Sequence, residues 1–508
     1  MKTNRRRGIA ALLAALLLAV TACAFVGCGD NELPPVDEST WHSLENNDLV
    51  QIEIWGRDTD TERQNYQNFI NEFNSTHPNI IANLRWQTDP QAYATALDGR
   101  GANLPDVFML QNTMFISYAA SGKLADMRGY LDESVLNDIY EDGYDVYYFD
   151  HATKTVGRTD TAALYGLPKD QGPYALCVNE TLLRETVTSY NASVSASEQI
   201  DIDRVMSTTE PMTFSYFLEL GSKLKTQLGS NEYFCSGYDI ESAVFSNNAH
   251  YFTDDSGRTS AIDSENFIDA IEFVQDLYKE GLLPSAGTVS SGGETVFTSG
   301  RSIFYYAGPW KQKEYWQIIE AESNPDRFVW NILPVLCGDA EGAMSTCYTG
   351  GMCYAISRNS KYKDAALELV KFLSTDTSSQ RTQYKRGQCI PNLISLAEEF
   401  SDDSMGLIAA QTGREDPCPA NRSVWIDTVN GTSETDKITS KYCSGSYTLD
   451  STWLTNLNQF MSGQMGSWGS FWEQKSDGSW VDVGAALADY KPTMQAALDL
   501  NNRRLDRM

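Results

Sequence analysis

Four histidines, His42, His77, His151 and His250, are scattered through 508 residues, and the ten cysteines form no CxxC pair. That leaves little from which to build a zinc site. Neither a GxSxG elbow nor an HExxH helix occurs, so the common hydrolase signatures are absent, and no catalytic residue, cofactor or metal is expected. Basic residues are scarce too: 39 Lys and Arg stand against 68 Asp and Glu, a formal net charge of −29. A surface of that sign repels phosphate backbones and anionic headgroups, which removes nucleic acid from the expected partners.

One long apolar run occurs, Ile9 to Val26, behind a basic start at Lys2, Arg5, Arg6 and Arg7. Basic start and apolar run together form an export signal. A retained spanning helix is the alternative, since about 18 apolar residues is near the lower limit for one. Small residues and a Cys close the run, however, where an anchor would carry Trp, Tyr or basic residues. The steps VTAC and FVGC both resemble the bacterial lipoprotein box, whose Cys is lipid-modified and becomes the mature amino terminus. Cys28 is favoured over Cys23: cleavage before Cys23 would leave the apolar AFV at the new terminus, whereas CGDNELPPVDEST reads as a polar tether. Eight other cysteines remain at irregular spacings. Outside the cell Cys347 could pair with Cys353, or Cys418 with Cys443, and spacing selects neither.

What the chain has in quantity is length and rings. At 508 residues it is too long for one ordinary core. Its 26 Tyr and 11 Trp exceed the needs of packing and suggest a binding surface. In DLVQIEIWGRD, Val50, Ile52 and Ile54 share one face of a strand. Tyr66, Phe69, Ile70 and Phe73 then sit at i, i+3, i+4 and i+7 of a helix that stops at His77-Pro78. IIANLRW, QAYATALDGRGA, LPDVFML and NTMFISYAASGKLADM continue the alternation of strand and helix, which implies a mostly parallel sheet. A second α/β unit follows, with Phe267, Ile271, Val274 and Tyr278 on one helical stripe. In the helix KDAALELVKFLS, Ala366, Leu369, Val370 and Leu373 share a face.

Three segments combine an apolar strand with a Gly or Pro break: LYGLPKDQGPYALCVNE, RSIFYYAGPW and MSTCYTGGMCYAIS. Their placement between α/β blocks suggests three crossings between two lobes. Leu183 to Pro211 reads as a polar insertion or loop. Thr428 to Trp480, rich in Ser, Gly, Asn and Trp, fits no alternation.

In order and spacing these pieces resemble extracellular solute-binding proteins of the maltose-binding type, the capture subunits of bacterial carbohydrate ABC importers. The resemblance is carried by IEIWGRD with HPNI, by LPDVFMLQNTMFISYAASGKLADM and by LYGLPKDQGPYALCVNETLL. Further on it is carried by DSENFIDAIEFVQDLYKEGLLP, FTSGRSIFYYAGPW, WNILPV, GGMCYAISRNSKYKDAALELVKFL and RGQCIPN, and it spans Leu49 to Glu399. It implies an α/β, two-lobed periplasmic-binding-protein-like fold with three crossing segments and a central cleft. The expected division is a signal peptide at 1–27, a tether at 28–48, lobe one at 49–168 and 306–347, and lobe two at 169–305 and 348–508 with a Trp-rich extension. It also implies a monomer that captures a carbohydrate, an oligosaccharide, and delivers it to ABC permease subunits at the extracellular face of the cytoplasmic membrane. A secreted, lipid-anchored glycoside-active enzyme is the alternative, because 68 acidic residues can supply a carboxylate pair by chance.

Open α/β sheets bind ligands beyond the carboxyl ends of their strands, which points to Trp55, Arg57, Asp58, Gln111 and Asn112. Sugars need aromatic faces and planar polar groups. The resemblance puts Asp170, Gln171 and Tyr174 of the first crossing and Trp310 of the second in that role. Tyr238, Asp239, Gly350, Gly351, Trp453, Trp468 and Trp472 are further candidates. Each has a structural alternative: Trp55 as a cap on the core, Arg57 with Asp58 as a solvated ion pair, Trp310 as hinge packing, the glycines as a tight turn, and the late tryptophans as a self-packed loop. The export signal makes one prediction. Protein extracted from membranes should have the mass of a lipidated chain beginning at Cys28, and an intact mass that still includes Met1 to Gly27 would refute it.

Overall fold

A computed structural model describes residues 37–46, 48–254, 256–285, 292–402, 418–430, 438–442 and 448–508. Cys23, Cys28, the signal segment and Cys443 lie outside the described residues. No helix among the described residues is long and apolar enough to cross a membrane.

The expected opening alternation forms β1 (Val50–Arg57), α1 (Asp60–Thr76), β2 (Ile80–Gln87), α2 (Pro90–Asp98), β3 (Val107–Gln111) and α3 (Asn112–Ala120). Thr59 caps α1 by accepting from the Glu62 amide. Tyr66, Phe69, Ile70 and Phe73 bury the apolar stripe of α1. The chain leaves this unit through β4 (Leu167–Pro168), passes β5 (Gly172–Pro173) and enters β6 (Ala175–Asn179). Next come α4 (Glu180–Ser193), α5 (Phe214–Leu224), β7 (Tyr233–Cys235), α6 (Ile240–Ser246), α7 (Glu265–Lys279) and β8 (Ser302–Ala307). A 3-10 turn at Pro309–Lys311 leads to α8 (Gln312–Ile318), then β9 (Trp330–Leu333), β10 (Ser345–Gly350), β11 (Met352–Ile356), α9 (Lys363–Ser374) and α10 (Thr377–Lys385). Later in the chain come α11 (Ser423–Asn430), β12 (Ile438–Tyr442), α12 (Thr452–Met461) and α13 (Val483–Leu505).

The sheets divide these strands between two lobes. The first has the order β2-β1-β3-β11-β4, parallel through β1, β2 and β3 and antiparallel from β11 onward. The second has the order β7-β8-β6-β9 and is mixed: only β7 and β8 run parallel. Its period-two alternation separates two faces. Leu176, Val178, Phe304 and Leu333 pack with Leu183, Phe217 and Val274 of the helices, while Ala175, Cys177, Trp330 and Ile332 face Tyr315 and Trp316 of α8. A third sheet, β12-β10-β5, lies where the chain passes between the two.

Four expectations need correction. Residues 306–347 are not a return to lobe one, because β9 pairs with β6 in the second sheet. Residues 348–508 are not all in lobe two, because β11 pairs with β3 and β4 in the first. The strand crossings are thus β4 to β6 and β10 to β11, while the segment after β8 leaves the second sheet, forms α8 and rejoins the same sheet. Leu183 to Pro211 is not all loop: Leu183 and Val187 are buried on α4, at a helical spacing that the many Ser and Thr obscure. Cys353 is a buried free thiol, so no bridge joins it to Cys347.

The Trp-rich extension packs onto lobe two through α12 and α13, which bury Trp453, Leu457, Leu487 and Leu498 against Phe267 and Ile271 of α7. Trp453 is 1% exposed and donates from Nε1 to Thr448 Oγ1 at 3.0 Å. Trp453→Ala should therefore lower the unfolding free energy by about 3–5 kcal/mol. Urea melts test this, and a change under about 1 kcal/mol would show that the site relaxes without a cavity.

Candidate binding cleft

A cleft of about 520 Å³ opens between the lobes. Its floor is made by the two crossings, through Lys169, Asp170, Gly172 and Tyr174 and through Gly351 and Met352. The first-lobe wall comes from the end of β1 and start of α1 (Arg57, Asp58, Thr59, Glu62), the end of β3 (Gln111) and Gln388. The second lobe supplies Trp310, Lys311, Lys313, Glu314 and Gln317. These positions follow the carboxyl ends of β1, β3 and β8, as open α/β sheets require.

Asp58 has φ of 150°, rare for a non-glycine residue. Its backbone is pinned on both sides: the amide donates to Gln87 O at 3.2 Å, and the carbonyl accepts from Trp86 Nε1 at 3.0 Å. Side-chain Oδ1 accepts from the Thr59 amide. Arg57 and Asp58 form no ion pair with each other, and both line the cleft.

On the floor, Lys169 Nζ lies 2.6 Å from Asp170 Oδ2. Both side chains are largely buried. Burial alone would lower the Lys169 pKa, but Asp170 above all, with Tyr354, Asp58 and Glu62, holds the ammonium above its ordinary range. Lys311 is held by Glu294 and Glu314. Burial pulls the Lys313 ammonium down and pushes the Glu62 carboxyl up.

Trp310 is 39% exposed, the one tryptophan among the large exposed apolar residues of the described chain. Tyr174 meets it edge-on at 5.0 Å and stacks behind on Tyr306 at 4.5 Å. The preceding Gly308 permits this placement, since a Cβ there would fall 2.0 Å from the indole.

Of the candidates from sequence, Arg57, Asp58, Gln111, Asp170, Tyr174, Trp310 and Gly351 thus come together. The others do not line the cleft. Trp55 is buried beneath Arg100, whose guanidinium lies 4.7 Å from its ring. Asn112 is buried at the start of α3, and its amide donates to Gly351 O at 3.4 Å. Gln171 turns away from the cleft and packs on Gly143. Gly350 pairs with Gly172 in the β10–β5 ladder. Tyr238 packs behind Tyr306, and Asp239 caps α6 by accepting from the Ser242 amide at 2.7 Å. Trp453 belongs to the distal core, where Trp472 packs on Tyr278 and Trp468 donates to Asp489.

Sequence reasoning missed Thr59, Glu62, Lys169, Gly172, Lys311, Lys313, Glu314, Gln317, Met352 and Gln388 as cleft residues. The spacing of Trp310, Lys313, Glu314 and Gln317 at i, i+3, i+4 and i+7 was a usable signal, a polar stripe beginning on the expected tryptophan.

A family model described as bacterial extracellular solute-binding protein matches residues 59–379. No curated protein sequence matches the chain. Among solved structures, an ABC substrate-binding protein from Listeria monocytogenes in complex with cycloalternan is similar with a TM-score of 0.63 and 16% identity, over 89% of this chain and 100% of that one. A sugar-binding protein from Xanthomonas citri is similar with a TM-score of 0.62 and 16% identity, over 90% and 100%. The GacH receptor of Streptomyces glaucescens, solved unliganded and with acarbose, is similar with a TM-score of 0.60 and 17% identity, over 88% and 98%. These likenesses establish the two-lobed fold.

The buried floor pair yields a prediction of its own. Lys169→Met strands the Asp170 carboxylate and should cost about 3–5 kcal/mol, whereas Lys169→Met with Asp170→Leu should recover most of that loss. Denaturant titration of both variants checks it, and equal losses in the two would mean that packing rather than charge governs the floor.

Proposed function

The chain belongs to the bacterial extracellular solute-binding proteins, and from that premise we propose that it captures a carbohydrate, an oligosaccharide, by closing its lobes and delivers it to an ABC permease. It acts as a monomer held by a lipid on Cys28 at the outer face of the cytoplasmic membrane. One observation carries the carbohydrate reading. An exposed indole, Trp310, lines the same cleft as the planar polar groups of Arg57, Asp58 and Gln111. An aromatic face suits the C–H surface of a sugar ring, and planar guanidinium, carboxylate and amide groups suit its paired hydroxyls. The partners named for the Listeria and Streptomyces proteins, cycloalternan and acarbose, are consistent with this chemistry.

A thermal-shift screen against a glycan panel tests the proposal, because a ligand that binds only the folded state raises apparent stability. A glycan should raise Tm without being turned over. Turnover would favour the glycoside-active enzyme instead. With that glycan, Trp310→Ala and Asp170→Ala should each lose about 1–3 kcal/mol of binding, roughly five- to two-hundredfold in Kd, by calorimetric titration. Normal binding in both variants with reduced stability would assign these residues to packing. Scattering at saturating ligand should also show a more compact particle, and an unchanged radius would count against lobe closure.

A further inference from the structure

Along the first-lobe wall runs a chain of hydrogen bonds whose polarity is fixed from one end to the other. Lys313, from the second lobe, can only donate, and its Nζ lies 3.3 Å from Asn65 Oδ1. The Asn65 amide therefore turns its NH₂ the other way, onto Glu62 Oε1 at 3.2 Å. Burial pushes the Glu62 carboxyl up, but the Lys169 and Lys313 ammoniums and the Gln388 amide beside it favour the ionised form, which only accepts, and Glu62 Oε2 takes Nε2 of Gln388 at 2.5 Å. Reversing the Gln388 amide would set an amide oxygen against the carboxylate, two acceptors face to face. Gln388 Oε1 is thus left at the end of the chain. It has no hydrogen-bond partner within the protein, and it belongs to a side chain that is 8% exposed and lines the cleft. Buried acceptors of this kind are nearly always satisfied, and an unsatisfied one in a binding site marks a place for a ligand.

We propose that Gln388 is a ligand-binding residue whose Oε1, oriented by Glu62, accepts a hydrogen bond from the solute, and that the solute group at this point is a donor rather than an anion. The inference rests on the carbohydrate reading only in naming that donor a sugar hydroxyl. An anion brought to Gln388 Oε1 would meet a second acceptor beside it, the Glu62 carboxylate. Arg57 and Lys313 are the cleft cations without an ion-pair partner that such an anion could otherwise use, so the charge of the preferred ligand discriminates between the two.

The test titrates the full-length protein calorimetrically with maltotriose, xylotriose and cellotriose, and with counterparts whose terminal ring is oxidised to a uronate. The best neutral probe should bind tighter than its uronate counterpart. Gln388→Leu should weaken that probe by about ten- to hundredfold, and Glu62→Gln, which lets the amide reverse, by a smaller factor. Should Gln388→Leu not fold, Gln388→Met, which keeps the length of the side chain and removes the acceptor, carries the same expectation. Binding by the folded Gln388 variant within twofold of wild type, or tighter binding of the uronate, overturns the inference while leaving carbohydrate capture standing. If no saccharide binds wild type, it is the carbohydrate reading that fails. The orientation is then read without ligand: the Gln388 side-chain amide nitrogen resonance should follow the titration of Glu62 and cease to do so in Glu62→Gln. A resonance indifferent to pH overturns the inference on its own.

Discussion

The arrangement depends on how a backbone can pass from one sheet to another through a buried floor without stranding its polar groups. Every amide and carbonyl on that passage needs a partner, because water is excluded. The first crossing meets the requirement with bonds from several distant segments. Lys169 N donates to Met352 O at 2.7 Å, and Pro168 O accepts from Ser374 Oγ at 2.6 Å and Asn392 Nδ2 at 2.9 Å. Gly172 and Pro173 pair with β10, and Tyr174 N donates to Cys347 Sγ at 3.2 Å. With the backbone fixed this way, Lys169, Asp170 and Tyr174 have defined places in the cleft. The Gly and Pro punctuation that makes the segment resemble a loop is what lets it turn between two strands.

The same floor explains why the cleft is rich in charge yet orderly. Two of its ion pairs, Lys169 with Asp170 and Lys311 with Glu314, are closed within the protein. Asn65 and Gln388 both donate to the Glu62 carboxylate. The hydrogen-bonding capacity that remains includes Arg57, Asp58, Gln111, the second carboxylate oxygen of Asp170 and the Gln388 oxygen, with Trp310 as the exposed aromatic face. Groups pre-set by neighbours bind with little ordering cost, which favours specificity for a polar solute over mere affinity for charge.

Much of this was legible in the sequence, and the failures have physical causes. Period-two and period-3.6 patterns located β1, α1, β3 and α7, because each buries one face against a sheet or helix. Asp58, Asp170 and Trp310 were legible because they end strands or occupy breaks. Gln171 and Tyr238 look equivalent to such residues in sequence; a neighbour's missing Cβ at Gly143 decides the first, and the Tyr174–Tyr306 stack decides the second. Glu62 and Gln388 lie 326 residues apart, so no local pattern could connect them. The second-half lobe assignment failed because strand order in a mixed sheet is a tertiary choice: WNILPV is equally apolar in either sheet, and only its pairing with β6 settles which one it joins.

The segment 418–430 shows how a lobe boundary can be stiffened from behind. Asn421 bonds both the amide and the carbonyl of Ile332 through its side chain, and the Ala420 amide donates to Asn331 Oδ1 at 3.0 Å. These bonds occupy polar groups on β9, the edge strand of the second sheet, which would otherwise present unpaired backbone. Trp316 Nε1 adds a bond to Cys418 O at 2.6 Å. A few residues later Val424 and Trp425 are buried in the core that also holds Phe400, over which the Arg422 guanidinium lies at 5.7 Å. One short stretch is therefore tied by polar bonds to the second sheet and by apolar packing to the first-lobe core. Hydrogen bonds are directional and apolar contacts are not. The Asn421 bonds therefore fix this segment to β9 more strictly than the Trp425 packing fixes it to the core.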